Sequence, residues 1–208
     1  MRVFILTTGR SGSVTIIKAC EHIDNYTAAH ESLIAAFGQN RFNYKDNHIE
    51  ADNRLSWHLG QLDKLYGNTA FYVHLKRNRD KVAHSYSKRF YNRSIMDAFC
   101  EGIRSTPPEV LTTEERLQAC YDYVDTVDSN IECFMSDKTK TMIINLENIE
   151  ADFKEFWRII DAKGSLEKAL NEFKVPHNAS SKRKIEFFPR MKLYFTRELR
   201  HIALSVKS

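Results

Sequence analysis

The sequence predicts an α/β fold: a central, mostly parallel sheet flanked by helices on both faces. Three observations predict it. Short apolar runs rich in β-branched and aromatic residues (Val3-Phe4-Ile5-Leu6, Phe71-Tyr72-Val73-His74-Leu75, Thr141-Met142-Ile143-Ile144-Asn145-Leu146) have the length and composition of buried strands. Helical spacing follows each run, as a parallel sheet requires, because a parallel neighbour is reached only through a crossover connection. The turn after the first run is built from Thr, Gly and Ser and leads straight into a helical pattern, so the chain opens strand–loop–helix.

Taken in order, Val3–Leu6 is the first strand, and Ile16, Ile17 and Cys20 begin the first helix. Tyr26 to His30 predicts a second short strand. Leu33, Ile34 and Phe37 predict a helix that stops at Gly38, and residues 39–52 are polar and predict irregular structure. Leu55, Leu59, Leu62, Leu65 and Tyr66 carry amphipathic helical spacing, closed by Gly67-Asn68. After the Phe71–Leu75 strand, Arg77 onward predicts a helix through Val82, Ala83, Tyr86 and Phe90, and Pro107-Pro108 marks a loop. Thr113 opens a long helix. Its heptad-spaced Leu117, Val124 and Ile131 recur too briefly for a coiled coil and predict a helix packed on a core. Thr141–Leu146 is the last strand, followed by helices around Phe153–Ile160 and Leu166–Phe173. A polar, basic stretch follows Pro176, and a helix is expected from Pro189 to the end. Ligands of such sheets bind beyond the carboxyl ends of the strands, here near Thr7, His30, Lys76 and Leu146.

The chain has 208 residues, 42% of them apolar and 28% charged, which fits one globular domain over residues 1–208 with a sizeable core. No stretch approaches a transmembrane span and no secretory signal precedes the first strand, so a cytoplasmic location is expected. Cys20, Cys100, Cys120 and Cys133 have neither zinc-ligand nor redox spacing, so reduced thiols are expected. The net charge of +4 is unevenly spread. Lys76 to Arg93 holds seven basic residues against one acid, and Lys174 to Arg200 eight against two, whereas Glu109 to Glu155 holds twelve acids against four bases. Such segregation suits a polyanion: nucleic acid, a nucleotide or a membrane surface. No stacking motif or nucleic-acid module accompanies the basic segments, so neither nucleic acid nor membrane is the expected partner.

The segment Thr8-Gly9-Arg10-Ser11-Gly12-Ser13-Val14-Thr15 joins the first strand to the first helix. Glycines let backbone fold tightly around an anion, and the helix start offers unpaired N–H groups and the positive dipole end. Arg10 adds a charge, and Ser11 and Ser13 add hydroxyls. The Gly-Lys-Ser/Thr of a Walker loop is absent, which disfavours ordinary magnesium–ATP chemistry. A sulfuryl group carries less charge than a phosphoryl group and can move without a metal. A second grip lies at the end of the Phe71–Leu75 strand, in Lys76-Arg77-Asn78-Arg79-Asp80-Lys81-Val82-Ala83-His84-Ser85. Arg77 can fork onto two phosphate oxygens and Ser85 can donate a third bond. Positive side chains at a helix start oppose its dipole, which a bound anion would explain.

Together these segments resemble the PAPS-dependent sulfotransferase family, PAPS being 3′-phosphoadenosine 5′-phosphosulfate. Gly9-Arg10-Ser11-Gly12-Ser13 looks like the family's 5′-phosphosulfate loop, and Arg77 through Ser85 looks like its 3′-phosphate motif. Ile144-Asn145-Leu146-Glu147-Asn148-Ile149 and His177-Asn178-Ala179-Ser180 are weaker echoes. The resemblance implies a three-layer P-loop fold and metal-independent transfer of a sulfuryl group from PAPS to a hydroxyl. Backbone N–H groups of Ser11 to Thr15 would cradle the phosphosulfate, Arg10 would neutralise the departing phosphate, and Arg77 and Ser85 would hold the 3′-phosphate. Val14 stands where the family often has threonine, and Arg79 replaces a common proline. The family's Gly-rich basic loop is not recognisable; Lys182 and Arg183, with Lys184, either supply its charge or are solvated.

The reaction needs a base for the acceptor hydroxyl. Glu31, in His30-Glu31-Ser32 after the second strand, is the first choice by this resemblance, and His30 is the alternative. If His30 ends a strand and Glu31 starts a helix, the two point apart. His48, His58, Glu50 and Asp52 lie where an acceptor could touch them, but surface or structural roles are expected of each, and Glu147 is expected to be a turn or cap residue. The acceptor is expected to be a small molecule or carbohydrate, and the protein a monomer or homodimer. An atypical P-loop kinase and a non-catalytic nucleotide-binding protein are the alternatives.

Overall fold

Val3, Phe4, Ile5 and Leu6 are all fully buried, but in two different places. Val3 and Ile5 join one core cluster, and Phe4 and Leu6 the other. Side chains alternate across a strand, so a run buried on both sides belongs to the interior of a sheet covered twice. This run is β1 (Arg2–Leu6) in the computed structural model, which describes residues 1–90, 94–175 and 177. The other strands are β2 (Thr27–His30), β3 (His48–Ala51), β4 (Phe71–Lys76) and β5 (Thr141–Asn145). They pair in the order β2-β3-β1-β4-β5, and every pairing is parallel. Met1–His177 forms one compact unit.

Helices cover both faces, which completes the three layers. On the Val3/Ile5 side, α1 (Ser13–Cys20) buries Ile16, Ile17, Ala19 and Cys20. Beside it lie α6 (Ile149–Ile159), which buries Phe153 and Phe156, and α7 (Leu166–Asn171), which buries Ala169. On the Phe4/Leu6 side lie α2 (Leu59–Tyr66), α3 (Arg79–Ser87), α4 (Ile95–Ala98) and the long α5 (Thr113–Met135). Thr112 and Glu115 form a reciprocal capping box at the start of α5, at 3.2 and 2.9 Å, satisfying two N–H groups that a helix start leaves open. Val124 and Ile131 of its heptad row are buried in the core, as expected of a packed helix. Among the described residues no helix is long and apolar enough to cross a membrane.

Three expectations are corrected. Residues 39–52 are not all irregular, because His48–Ala51 forms β3 beside β1. Its Glu50 is fully buried, and this breaks the apolar pattern by which a strand is recognised. The segment after His30 is a run of turns rather than a helix, and its short 3-10 turn spans Gly38–Phe42. Ile34 and Phe37, its supposed core positions, are 39% and 89% exposed. The helix expected from Leu55 is interrupted: a 3-10 turn, Asn53–Trp57, precedes α2.

The topology also places the site. The chain leaves β1 toward the face of α1, whereas it leaves β3 and β4 toward the opposite face. The loop after β1 therefore stands at a topological switch point on the carboxyl edge of the sheet, the usual binding position in such folds.

Candidate anion-binding site

The loop after β1 is tightly wound. Gly9 and Gly12 have φ of 81° and 87°, and Arg10 between them has φ of 59°. Left-handed backbone favours glycine, and a non-glycine residue held there costs about 1–3 kcal/mol unless its surroundings enforce it. A side chain on Gly9 would meet more than strain, since its Cβ would lie 2.4 Å from the Tyr86 hydroxyl. Internal bonds hold the loop. Gly9 N–H donates to Thr7 Oγ1 at 3.2 Å, Ser11 Oγ donates to the Gly9 carbonyl at 3.1 Å, and Thr8 Oγ1 and Ser11 Oγ share a bond at 3.2 Å. Gly12 is the N-cap of α1 and offers its first turn no side chain, and that turn holds no acidic residue. The first N–H groups of a helix have no carbonyl of their own to bond, so this end is open to an anion.

Two tyrosines brace the loop from below. Tyr86 on α3 and Tyr123 on α5 both donate to the Thr8 carbonyl, at 2.7 and 2.8 Å. Burial lifts the Tyr86 hydroxyl well above its ordinary pKa and pushes that of Tyr123 up to about 12, so both remain donors at neutral pH. Ser56 Oγ adds a bond to the Thr7 carbonyl at 3.2 Å.

The two basic motifs meet here. Arg77, just past β4, donates through Nη1 to the Arg10 carbonyl at 2.9 Å, and Arg10 Nε donates to Ser85 Oγ on α3 at 3.1 Å. Gly9, Arg10, Ser11, Gly12, Ser13, Arg77 and Ser85 therefore form one constellation, with Val14 and Thr15 in the first turn of α1 beside it. The charge around it has been redistributed. Lys76 pairs with Glu132 at 2.6 Å, Arg79 pairs with Asp125 through two bonds of 2.6 Å, and Lys81 lies 3.8 Å from Glu147. The acidic segment around α5 and β5 thus neutralises most of the basic cluster, and those three cations need no bound anion to explain them. Arg77 is different, because among the described residues no carboxylate pairs with it. Glu147 lies in a 3-10 turn, Leu146–Asn148, and its carboxylate accepts the Asn78 N–H at 3.1 Å, 69 residues away.

The candidate bases flank the loop. His30 Nε2 shares a hydrogen bond with Ser13 Oγ at 3.0 Å, which ties β2 to the start of α1. Glu31 does not begin a helix. It sits in a turn with φ of 53°, and its Oε1 accepts from Arg54 Nη1 at 3.3 Å. The two side chains bond to different partners, His30 to Ser13 and Glu31 to Arg54. The Glu31 N–H donates to the Ala51 carbonyl at 3.0 Å, and the next residue is anchored by the buried Glu50, which accepts the Ser32 N–H at 2.7 Å, Ser32 Oγ at 2.6 Å and His48 Nε2 at 3.0 Å. Asp52, at the end of β3, is also fully buried; it accepts from Arg41 Nη2 at 2.5 Å and from the Arg54 N–H at 2.8 Å. Both acids are structural. Lys182 and Arg183 lie outside the described residues.

Arg54, Tyr86, Tyr123 and Glu50 have site roles that sequence reasoning did not find. Tyr86 carries helical spacing and reads as core. Glu50 lies in a stretch with no strand period. No protein-family model matches the chain, and no curated protein is similar to it at a significant level.

Proposed function

We propose that this protein is a PAPS-dependent sulfotransferase, working without a metal on a hydroxyl of a small-molecule or carbohydrate acceptor. The observation that carries the reading is the Arg77–Arg10–Ser85 chain. It joins the two basic motifs into one site and leaves Arg77 as a cation with no carboxylate partner among the described residues. A nucleotide with phosphates at both the 5′ and 3′ positions has the two anionic ends such a site would take. The glycine cradle and the open start of α1 suit the 5′ end, and Arg77 with Ser85 suits the 3′ end.

In this reading PAPS supplies an activated sulfuryl group. As the acceptor oxygen bonds to sulfur, the sulfur–oxygen bond to the 5′-phosphate breaks and its electron pair leaves on that phosphate. The hydroxyl proton passes to Glu31, with His30 as the alternative acceptor. Arg10 offers positive charge to the leaving phosphate. Asp52, just beyond β3, is buried and taken by Arg41, so that carboxylate is not open to a magnesium ion, which favours sulfuryl over phosphoryl transfer. The four cysteines, free in the structure, accord with a cytoplasmic enzyme, and the reading accommodates a monomer or a homodimer.

The test is calorimetric titration with adenosine 3′,5′-bisphosphate, with AMP and ATP as controls and magnesium left out. Tight binding of the bisphosphate alone, lost in Arg77→Ala, is expected. Equal affinity for all three nucleotides would overturn the reading.

A further inference from the structure

A groove of about 410 Å³ lies beside the candidate base, between the turns that follow β2 and the start of α2. Ile34, Phe37 and Phe42 supply its apolar wall, and Arg41, Arg54, His58 and Gln61 its polar side. Phe37 is 89% exposed, an unusual state for so large an apolar ring, and Ile34 beside it is also exposed. Phe42 stands edge-on to His58, with ring centroids 5.4 Å apart. The groove therefore presents flat apolar surface to solvent.

Its charged lining side chains are basic, and the carboxylates paired with them, Asp52 and Glu31, stand outside the lining. The lining includes two arginines and no carboxylate. Arg41 is spent on Asp52 and on the Tyr44 hydroxyl, and is buried. His58 is pushed toward its neutral form, by burial first and by the Arg41 cation second. That leaves Arg54, whose side chain is 37% exposed. Its side-chain bonds among the described residues all run through Nη1, to Glu31 at 3.3 Å and Asn53 at 3.5 Å. A guanidinium presents five donors in a planar fork, so Nε and Nη2 remain for a ligand while Nη1 stays on Glu31.

We propose that this groove is the acceptor site and that it takes a hydroxylated ring compound carrying a carboxylate, the ring lying on Phe37 and the carboxylate held by Arg54. The assignment as acceptor site rests on the sulfuryl-transfer reading, whereas the groove's ligand chemistry does not. Arg54 bridges the two: one edge of its guanidinium binds the acceptor and the other binds Glu31, which keeps the acceptor within one side chain of the base. The remaining lining chemistry agrees, since Gln61 can meet ring hydroxyls.

The experiment is titration of the full chain with 4-hydroxybenzoate and with its neutral amide, 4-hydroxybenzamide, followed by ligand-observed NMR. Each titration is run with and without adenosine 3′,5′-bisphosphate. The carboxylate is expected to bind about tenfold more tightly than the amide, the size of a charge-assisted hydrogen-bond preference. Arg54→Gln should erase that preference, and Phe37→Ala should weaken both ligands. Phe37 is exposed, so its variant tests the groove even if Arg54→Gln folds poorly. Equal binding of acid and amide, absence of binding by either, or a preference that survives Arg54→Gln would overturn the proposal. If the bisphosphate fails to bind while the preference for the acid stands, the sulfotransferase reading falls and the groove's ligand class remains. If the bisphosphate binds and the preference is absent, the reverse holds.

Discussion

The hydroxyl of Tyr123 donates to the carbonyl of Thr8 at 2.8 Å, across 115 residues of chain. It shares that carbonyl with Tyr86, which donates at 2.7 Å. A carbonyl has two lone pairs, so the long helix α5 and the shorter α3 hold the same peptide of the loop after β1 at once.

This arrangement predicts a non-additive double mutant. Tyr123→Phe or Tyr86→Phe alone leaves the Thr8 carbonyl with one donor and should cost about 1 kcal/mol. Removing both hydroxyls strands a buried carbonyl. The double variant should then lose about 1–3 kcal/mol beyond the sum of the singles, read as a double-mutant cycle in urea denaturation. Strict additivity would show that the two bonds do not share one acceptor.

Gly9 should tolerate no side chain. In Gly9→Ala the new Cβ meets the Tyr86 hydroxyl, 2.4 Å away, in a backbone with φ of 81°. Stability should fall by about 1–3 kcal/mol from the strained conformation and the clash together. Because the loop must shift, binding of adenosine 3′,5′-bisphosphate should be lost even where the variant remains folded. Gly60, where a Cβ meets nothing within 4 Å, provides the control.

The buried Arg41–Asp52 pair should matter by its breaking rather than by its presence. Asp52→Ala leaves the Arg41 guanidinium, with 9% of its side chain exposed, without its carboxylate. The expected loss is about 3–5 kcal/mol in denaturant unfolding. Replacing both partners with apolar residues of similar volume should cost much less, because no charge is then left unpaired.

Asp125 provides a pH test. Hydrogen bonds from Arg79 hold its carboxyl below the ordinary aspartate range. A depressed folded-state pKa contributes stability that is present above the unfolded pKa and lost as pH falls through the folded value. The pair is half-exposed, so the effect should stay under about 1 kcal/mol. Carboxylate NMR should find Asp125 titrating low in the native protein and returning toward the ordinary range in Arg79→Gln. An unchanged Asp125 would place the cause elsewhere.

What the sequence determined by itself is local. Val3–Leu6 is legible as a doubly buried strand because four consecutive apolar residues leave no face for water. The Gly9–Gly12 loop is legible because left-handed backbone demands glycine and the pattern is contiguous. The parallel sheet and the long helix α5 follow from periods and turns within a few residues. Tertiary structure alone decided the rest. β3 escaped notice because Glu50 sits in its middle, satisfied by Ser32 and His48, and partners so placed carry no period in the sequence. The basic run from Lys76 to Lys81 looked uniform, yet Glu132, Asp125 and Glu147, brought from 46 to 66 residues away, neutralise Lys76, Arg79 and Lys81 and leave Arg77 for the loop. Covalent neighbours determine conformation, but which charge remains unpaired depends on which distant groups the packed core brings within reach.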